Sequence, residues 1–128
     1  MIYGIGTDIV EVSRMEQLFQ KSDTFLKRFF TEKEQELILS RNKSFEAAAM
    51  NFSGKEAVSK AFRTGITGEV RLEEIEILRE ESGAPYVVLY GATLEYAKKL
   101  GVDTIHISLS DTKEYAIAYA IAECRERT

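Results

Sequence analysis

The segment that most restricts the fold is a helix, predicted from residue 44 to about residue 64, that is apolar on almost every side. Since a helix turns by about 100° per residue, one stripe begins with aromatic residues and ends with charged ones: Phe45, Ala49, Phe52, Glu56, Lys60 and Arg63. The opposite side consists of small or apolar residues: Ala47, Met50, Gly54, Ala57, Val58, Ala61 and Phe62. Only a narrow band near Lys55 and Ser59 is plainly polar. Such a helix must be covered by other parts of the chain, so we expect it at the centre of the fold.

The remaining segments predict short helices and antiparallel strand pairs. Periodicity and turn residues predict strands over residues 3–10, 72–78, 86–90, 104–109 and 114–123. Shorter helices are expected over residues 13–20, after residue 31 and over residues 93–100. The expected caps and stops are Ser13, a capping box of Thr31 with Glu34, Ser44, Gly65 and Gly101. The predicted class is α+β, an antiparallel sheet with a long central helix and shorter helices.

The last predicted strand is apolar on both faces. Tyrosine and isoleucine alternate at 115, 117, 119 and 121, while alanines occupy 116, 118, 120 and 122. A strand with two dry faces must be covered on both sides, and the alanine side permits a close approach. Two covers fit this pattern equally well: the protein's own helices, or another subunit of an oligomer.

Length and composition indicate the broad class. The 128 residues, 45% of them hydrophobic, predict one domain over residues 1–128. A net charge of −4 argues against a nucleic-acid partner, because the overall field repels phosphate backbones. Cys124 is the only cysteine and cannot form an internal disulfide. Without a signal peptide or the ~20-residue apolar stretch of a membrane span, the chain is expected to be cytoplasmic, with no membrane contact.

Two carboxylates lie in segments that are otherwise mostly apolar, where an ionised group is energetically unfavourable. Asp8 lies on the first predicted strand and Glu56 on the long helix, and an ionised carboxylate in apolar surroundings needs a partner. One interpretation is a salt bridge of Glu56 with Lys60, worth ~0.2–0.5 kcal/mol. The other is a hard cation, because two oxygen ligands without a cysteine or histidine cluster suit Mg²⁺ that also holds substrate phosphates. Spacing alone favours the salt bridge, whereas burial of the stripe would favour the metal.

Two motifs flank these carboxylates in a specific order and spacing. The first is Gly4-Ile5-Gly6-Thr7-Asp8-Ile9-Val10-Glu11, and the second is Phe52-x-x-Lys55-Glu56-Ala57-x-Ser59-Lys60-Ala61-Phe62, followed by Thr64-Gly65. Together they resemble the 4′-phosphopantetheinyl transferases of the small bacterial type. Weaker similarity over residues 30–34, 83–86 and 106–116 extends the resemblance to nearly the whole chain.

The resemblance implies transfer of the phosphopantetheine arm of coenzyme A to a serine of apo acyl carrier protein, with release of adenosine 3′,5′-bisphosphate. This reaction serves fatty acid biosynthesis. By the same resemblance, Asp8 and Glu56 are ligands of a Mg²⁺ cofactor, and Lys60 lies beside the pyrophosphate. Glu56 is the preferred general base for the serine proton and Lys60 the alternative. The implied coenzyme A contacts are Lys43, Ser59, Lys60, Arg63, Thr64, Gly65, Pro85 and His106. For His106, a strand histidine that is merely hydrogen-bonded is at least as good an interpretation.

The acyl carrier partner is expected to meet a basic surface. Arg14 matches a family contact position, and Lys21, Lys27 and Arg28 could extend the patch. For Lys21 and Lys27 taken singly, scattered solvated charge is the preferred interpretation. Because acyl carrier proteins are acidic, local positive charge would steer the encounter. The resemblance also implies a homotrimer with active sites at subunit junctions. Whether Asp8 and Glu56 meet within one chain or across two stays open.

The chain departs from the family pattern at several positions. Asn51 stands where relatives commonly have arginine, and Arg63 replaces the first glycine of a Gly-Thr-Gly loop. One hypothesis is that Arg63 binds the phosphate that an arginine at position 51 would otherwise bind. Asp111 occupies a position that is often histidine and is assigned no role. Two other classes of protein remain: a coenzyme A or nucleotide-binding module without catalysis, and a structural protein in which the carboxylates only pair with lysine and arginine.

Overall fold

The computed structural model describes residues 1–22, 24–64 and 68–125, and within them the chain forms an α+β fold. The strands are β1 (Ile2–Glu11), β2 (Ile75–Arg79), β3 (Pro85–Leu89), β4 (Val102–Asp111) and β5 (Tyr115–Cys124). The helices are α1 (Val12–Lys21), α2 (Phe25–Phe29), α3 (Glu32–Leu39), α4 (Ser44–Ala61) and α5 (Gly91–Leu100), and Leu72–Glu74 form a 3₁₀ turn. Among these described segments, no helix combines the length and the apolar character that crossing a bilayer requires.

The strands form two antiparallel sheets. In the larger sheet β5 lies between β1 and β4, and in the smaller one β2 and β3 form a hairpin. The register places Gly6 of β1 opposite Ala120 of β5 and Asp8 opposite Ala118. The predicted α+β class and both predicted strand pairs are thus confirmed.

Helix α4 is the centre of the fold, as expected. It contacts β1, β5 and β4 on one side and β2 and α3 on another. The alanine face of β5 packs towards it, and all four alanines, at positions 116, 118, 120 and 122, are at most 1% exposed. Small side chains on the central strand therefore let the helix sit close to the sheet.

Two glycines bring β1 against the backbone of α4. A Cβ atom built on Gly6 would collide with the carbonyl oxygen of Ala57, and one built on Gly4 would collide with the carbonyl oxygen of Ala61. In both cases the obstacle is backbone, which cannot move aside as a flexible side chain can. The glycines of the first motif are therefore required by packing.

Among the described residues, no helix covers the other face of β5. Tyr115, Ile117 and Tyr119 are 43–45% exposed, and the neighbouring β1 residues Ile5 and Ile9 are 56% and 62% exposed. Ile9 pairs with Ile117 and Ile5 with Ile121, so these side chains share one surface. We refer to these five exposed residues as the outer face. The sequence predicted a cover for each face of β5, and the described part of a single chain provides the cover over the alanine face alone.

The polar band predicted on α4 is wrong for Lys55 and Ser59, which are almost completely buried. The Lys55 ammonium donates to Glu34 Oε1 at 2.6 Å, to the Leu72 carbonyl at 2.9 Å and to the Ile75 carbonyl. Such a buried charge is tolerated because every donor has a partner. The lysine thus ties α4 to α3 and to the segment that enters β2.

Two predicted helix caps are confirmed, and several other predicted ends of helices and strands differ from the structure. The Thr31–Glu34 capping box and the left-handed Gly101 are confirmed. Ser13 does not cap α1, which starts directly from β1 with Glu11 as N-cap, and Ser44 is the first residue of α4 rather than its cap. Helix α4 ends at Ala61 because Arg63 adopts φ 71°. Gly65 lies outside the described residues, and the predicted strand over 72–78 begins only at Ile75.

We expect Gly6→Ala to destabilise the protein, because the added methyl group meets the Ala57 carbonyl oxygen. Overpacking of this kind costs about 1–3 kcal/mol. Urea unfolding of the variant and of the original protein measures the difference. Gly68→Ala is the matched control, since a Cβ there has open space around it. Equal stability of Gly6→Ala and the original protein would contradict this account of the β1–α4 contact.

Candidate active site

Asp8 lies on the side of β1 that faces α4. It follows Gly4 and Gly6 at alternate positions, and it pairs with Ala118, whose side chain is buried. The Lys60 ammonium donates to the backbone carbonyl of Thr7 at 2.9 Å and to Asp8 Oδ1 at 3.3 Å. The close β1–α4 contact therefore places a strand carboxylate beside the last turn of the helix.

Glu56 lies on α4 one turn before Lys60 and is half-buried. Burial and, to a smaller extent, the negative charge of Asp8 raise the pKa of Glu56, while Lys60 and Arg14 act in the opposite direction. Asp8 and Glu56 are thus electrostatic neighbours within one chain. The possibility left open by the sequence, that they meet only across two chains, is not needed.

This pair has the donor chemistry of a site for a hard cation. Among the described residues there is no group of three or more His, Cys, Asp and Glu side chains that could enclose a metal ion. Two carboxylates alone suit an ion that completes its coordination with waters and substrate oxygens, which is how Mg²⁺ binds in phosphate-handling enzymes. Burial and then the negative charge of Asp8 raise the pKa of Glu56, and a bound cation would favour its ionised form. These residues therefore fit Mg²⁺.

The residues near the end of α4 that were expected to contact coenzyme A differ in their burial and in their hydrogen-bond and ring contacts. Ser59 is buried, and its hydroxyl donates to the Glu56 carbonyl at 2.7 Å. The Arg63 guanidinium lies 5.4 Å from the centre of the Tyr3 ring. Thr64 follows it as the last described residue before a gap, and Gly65 falls inside that gap.

Arg63 lies beyond the end of α4, and its side chain turns towards β1. The hypothesis that it binds the phosphate in place of an arginine at position 51 stays a prediction. Asn51 instead holds a different arginine, Arg79, whose Nη2 donates to Asn51 Oδ1 at 2.9 Å. The sequence analysis did not select Arg79, because no motif or periodicity around residue 79 points to a function. The only signal was the asparagine at position 51, where an arginine was expected.

Three predicted coenzyme A contacts lie away from the carboxylate pair. Lys43 is the N-cap of α4 and Pro85 begins β3. His106 pairs with Ile121, on the side of the sheet opposite the alanines and α4, and its Nε2 lies 2.9 Å from Glu123 Oε1. Within one chain, His106 and the carboxylates are thus on opposite sides of the larger sheet.

The predicted partner-binding residues lie on the two helices that follow β1. Arg14 is exposed on α1 and close enough to Glu56 to lower its pKa. Lys21 is the last residue of α1 and Arg28 lies in α2, both exposed. Three basic side chains are therefore exposed on α1 and α2, and one of them acts on Glu56.

Comparison with known proteins gives a consistent result. Residues 4–120 match the family model of the 4′-phosphopantetheinyl transferase superfamily. The chain is 46% identical over 127 residues to a holo-[acyl-carrier-protein] synthase of Clostridium perfringens, covering 96% of this chain and 95% of that protein. The crystal structure of the Neisseria meningitidis holo-[acyl-carrier-protein] synthase superposes with a TM-score of 0.90 at 34% identity, covering 96% of this chain and 99% of that one. A Bacillus anthracis synthase in complex with CoA (3′,5′-ADP) has a TM-score of 0.82 at 33% identity, with 98% and 99% covered.

We expect Glu56→Gln to raise thermal stability at neutral pH in the presence of a chelator. The pKa of Glu56 is raised above its ordinary value of 4.5, so the folded state prefers the protonated carboxyl and is disfavoured once Glu56 ionises. The neutral amide removes this cost, and the gain should shrink as the pH falls towards 4.5. Unfolding midpoints at neutral and acidic pH test this. Glu95→Gln, on an exposed carboxylate of α5, is the control, and a lower midpoint for Glu56→Gln at neutral pH would oppose the interpretation.

Proposed function

This chain belongs to the 4′-phosphopantetheinyl transferase superfamily, among the holo-[acyl-carrier-protein] synthases, and we propose that it transfers the 4′-phosphopantetheine of coenzyme A to a serine of apo acyl carrier protein. The leaving product is adenosine 3′,5′-bisphosphate, and the reaction depends on Mg²⁺. The observation that carries the proposal is the Asp8–Glu56 pair beside Lys60, on a chain that matches these enzymes over nearly its full length. We place this activity in the cytoplasm, where it serves fatty acid biosynthesis.

The reaction exchanges one phosphorus–oxygen bond for another. The serine oxygen of the carrier protein forms a bond to the phosphorus that bears the pantetheine arm, and the bond from this phosphorus to the bridging oxygen of the pyrophosphate breaks. The serine proton must go to a base, and the leaving bisphosphate gains negative charge. Such transfers are accelerated mainly by positioning and by electrostatic stabilisation.

Asp8 and Glu56 would hold the metal, which when bound supplies positive charge to the pyrophosphate oxygens. Lys60 adds a second positive charge: its side chain is 51% exposed and already directed at Asp8, so it can reach a ligand beside the pair. Glu56 is the preferred base for the serine proton, because the same burial that raises its pKa brings it nearer to neutral pH. Lys60 is the weaker candidate, since its ammonium is already donating to Asp8 and Thr7.

The outer face of β1 and β5 supports assembly into a homotrimer. It exposes five large apolar residues side by side, which is unusual for a protein that stays single. His106 lies on the same side of the sheet as this surface. In a trimer built through the outer face, His106 would therefore contact the coenzyme A of a neighbouring subunit rather than that of its own.

Incubation of apo acyl carrier protein with coenzyme A, Mg²⁺ and this protein should add the mass of one phosphopantetheine group to the carrier. Asp8→Ala and Glu56→Ala should each lower the rate on the order of 10²–10⁴-fold, with unchanged circular dichroism. Glu95→Ala removes an exposed carboxylate elsewhere and should leave the rate intact. Coenzyme A binding without a mass shift would favour the non-catalytic module, and absence of both would remove the proposal.

Light scattering should give the mass of three chains for the original protein and of one chain for Ile117→Glu. The substitution places a charge at the centre of the outer face, and the side chain is already 45% exposed in one chain, so the fold itself should tolerate it. Leu39→Glu is the matched control, because Leu39 is 66% exposed on α3, away from this face. A single-chain mass for the original protein would exclude the trimer.

A further inference from the structure

Glu34 is a fully buried carboxylate of α3 that accepts four hydrogen bonds. Its Oε1 accepts from the Thr31 amide at 3.1 Å and from the Lys55 ammonium at 2.6 Å. Its Oε2 accepts from Asn51 Nδ2 at 3.0 Å and from the Ile77 amide at 3.2 Å. Each oxygen thus has two donors within the protein, and one carboxylate joins α3, α4 and β2.

Glu34 holds α4 at two points that are one helical turn apart. Asn51 and Lys55 are four residues apart on this helix, so their side chains leave it on the same side. Each of them bonds a different oxygen of the same carboxylate. Lys55 also donates to the Leu72 and Ile75 carbonyls, where the chain enters β2. Two such anchors on one side fix both the rotation of the helix about its axis and its position along that axis.

The contact of α4 with β1 and β5 is made by small residues. Gly6 and Gly4 lie against the carbonyl oxygens of Ala57 and Ala61, and the alanines of β5 are buried. Surfaces without long side chains do not interlock as ridges and grooves do. This contact therefore fixes the distance between α4 and the sheet better than it fixes the rotation of the helix. The bonds to Glu34, on another side of α4, supply that rotation.

The rotation of α4 decides where its charged residues meet β1. Glu56 follows Lys55 directly, so its side chain leaves the helix about 100° away from the buried lysine. With Lys55 turned into the core, Glu56 is half-buried and within the electrostatic reach of Asp8. Lys60, one turn further along, donates to Asp8 Oδ1 at 3.3 Å. One helix angle thus sets both of these residues against the strand carboxylate.

We propose that Glu34 is a positioning residue of the active site: through its bonds to α4 it holds Glu56 opposite Asp8. The proposal rests on the transferase function above, because the pair that Glu34 orders is the expected metal site. Residues that orient metal ligands from outside decide how well the ligands are preformed, and so how tightly they bind a cation. Position 51, where relatives commonly have arginine, here carries the asparagine that supplies the second anchor.

Lys55→Met tests the proposal, because it removes one anchor and leaves Glu34 with three donors. We expect the affinity for Mg²⁺, titrated calorimetrically in the presence of coenzyme A, to fall about 10–100-fold. Glu34→Gln should lower it by a similar factor. Unchanged Mg²⁺ affinity in either folded variant overturns the proposal, and Lys55→Met decides if Glu34→Gln fails to fold.

The double variant Glu34→Gln/Lys55→Met separates positioning from stability. It removes both buried charges together, which is often neutral for folding, whereas Glu34→Gln alone leaves a buried ammonium without its counter-charge. We expect the unfolding midpoint to recover from that of Glu34→Gln towards that of the original protein, while the Mg²⁺ affinity stays low. Recovery of both quantities would assign the Glu34–Lys55 pair to stability alone and overturn the proposal.

Two controls make the same charge changes on the exposed side of α3. Glu32→Gln and Lys33→Met should leave the Mg²⁺ affinity unchanged, and an equal loss there would assign the effect to net charge and overturn the proposal. The transferase function is tested separately on the original protein. It fails if that protein neither binds Mg²⁺ with coenzyme A nor produces the mass shift on the carrier, whereas equal Mg²⁺ binding by the original protein and the variants removes the positioning proposal alone.

Discussion

The backbone contact between β1 and α4 is the constraint on which the candidate site depends. Gly4 and Gly6 allow the strand to lie where any side chain would strike the helix carbonyls. The next residue on that side of the strand is Asp8, so the same close approach that packs the core delivers a carboxylate to Glu56 and Lys60. The alanines of β5 serve the same end, because larger side chains there would lift the helix away from the sheet.

Neighbouring residues of α4 show how one helix serves both stability and chemistry. Lys55 points inward, where Glu34 and two backbone carbonyls surround its ammonium group. Glu56 is half-buried, and burial together with the smaller effect of the Asp8 charge raises the free energy of its ionised form. The charge of Lys55 is compensated within the fold and anchors the helix. The charge of Glu56 is incompletely compensated, which is the usual condition of a group that binds a ligand.

Much of the fold could be predicted from the sequence because periodicity and capping residues act locally. The helix apolar on nearly all sides was correctly expected at the centre, and the Thr31–Glu34 box and Gly101 were correctly expected at helix ends. Lys55 was misjudged because its partner Glu34 is 21 residues away, and no pattern within the helix reveals it. Arg79 was not found for the same reason: its contact with Asn51 spans 28 residues and depends on how the hairpin packs. For Asp8 and Glu56 the sequence left open whether they meet within one chain or across two, and the structure shows the charge of Asp8 acting on Glu56 within one chain. Their role as metal ligands stays a prediction.

The pairing of β1 with β5 joins the two ends of the described chain. The Thr7 hydroxyl donates to the Ala118 carbonyl across 111 residues, and the Cys124 amide donates to the Met1 carbonyl. On the ribosome, β1 is therefore made well before β5 and has no strand to pair with until β5 follows. Until then α4 has no alanine surface to cover it, and the closure of so long a loop is slow. From the completion of α4 to the completion of β5, the nascent chain thus lacks the alanine surface that covers its most apolar helix, and chaperones that bind apolar segments can act on it during that period.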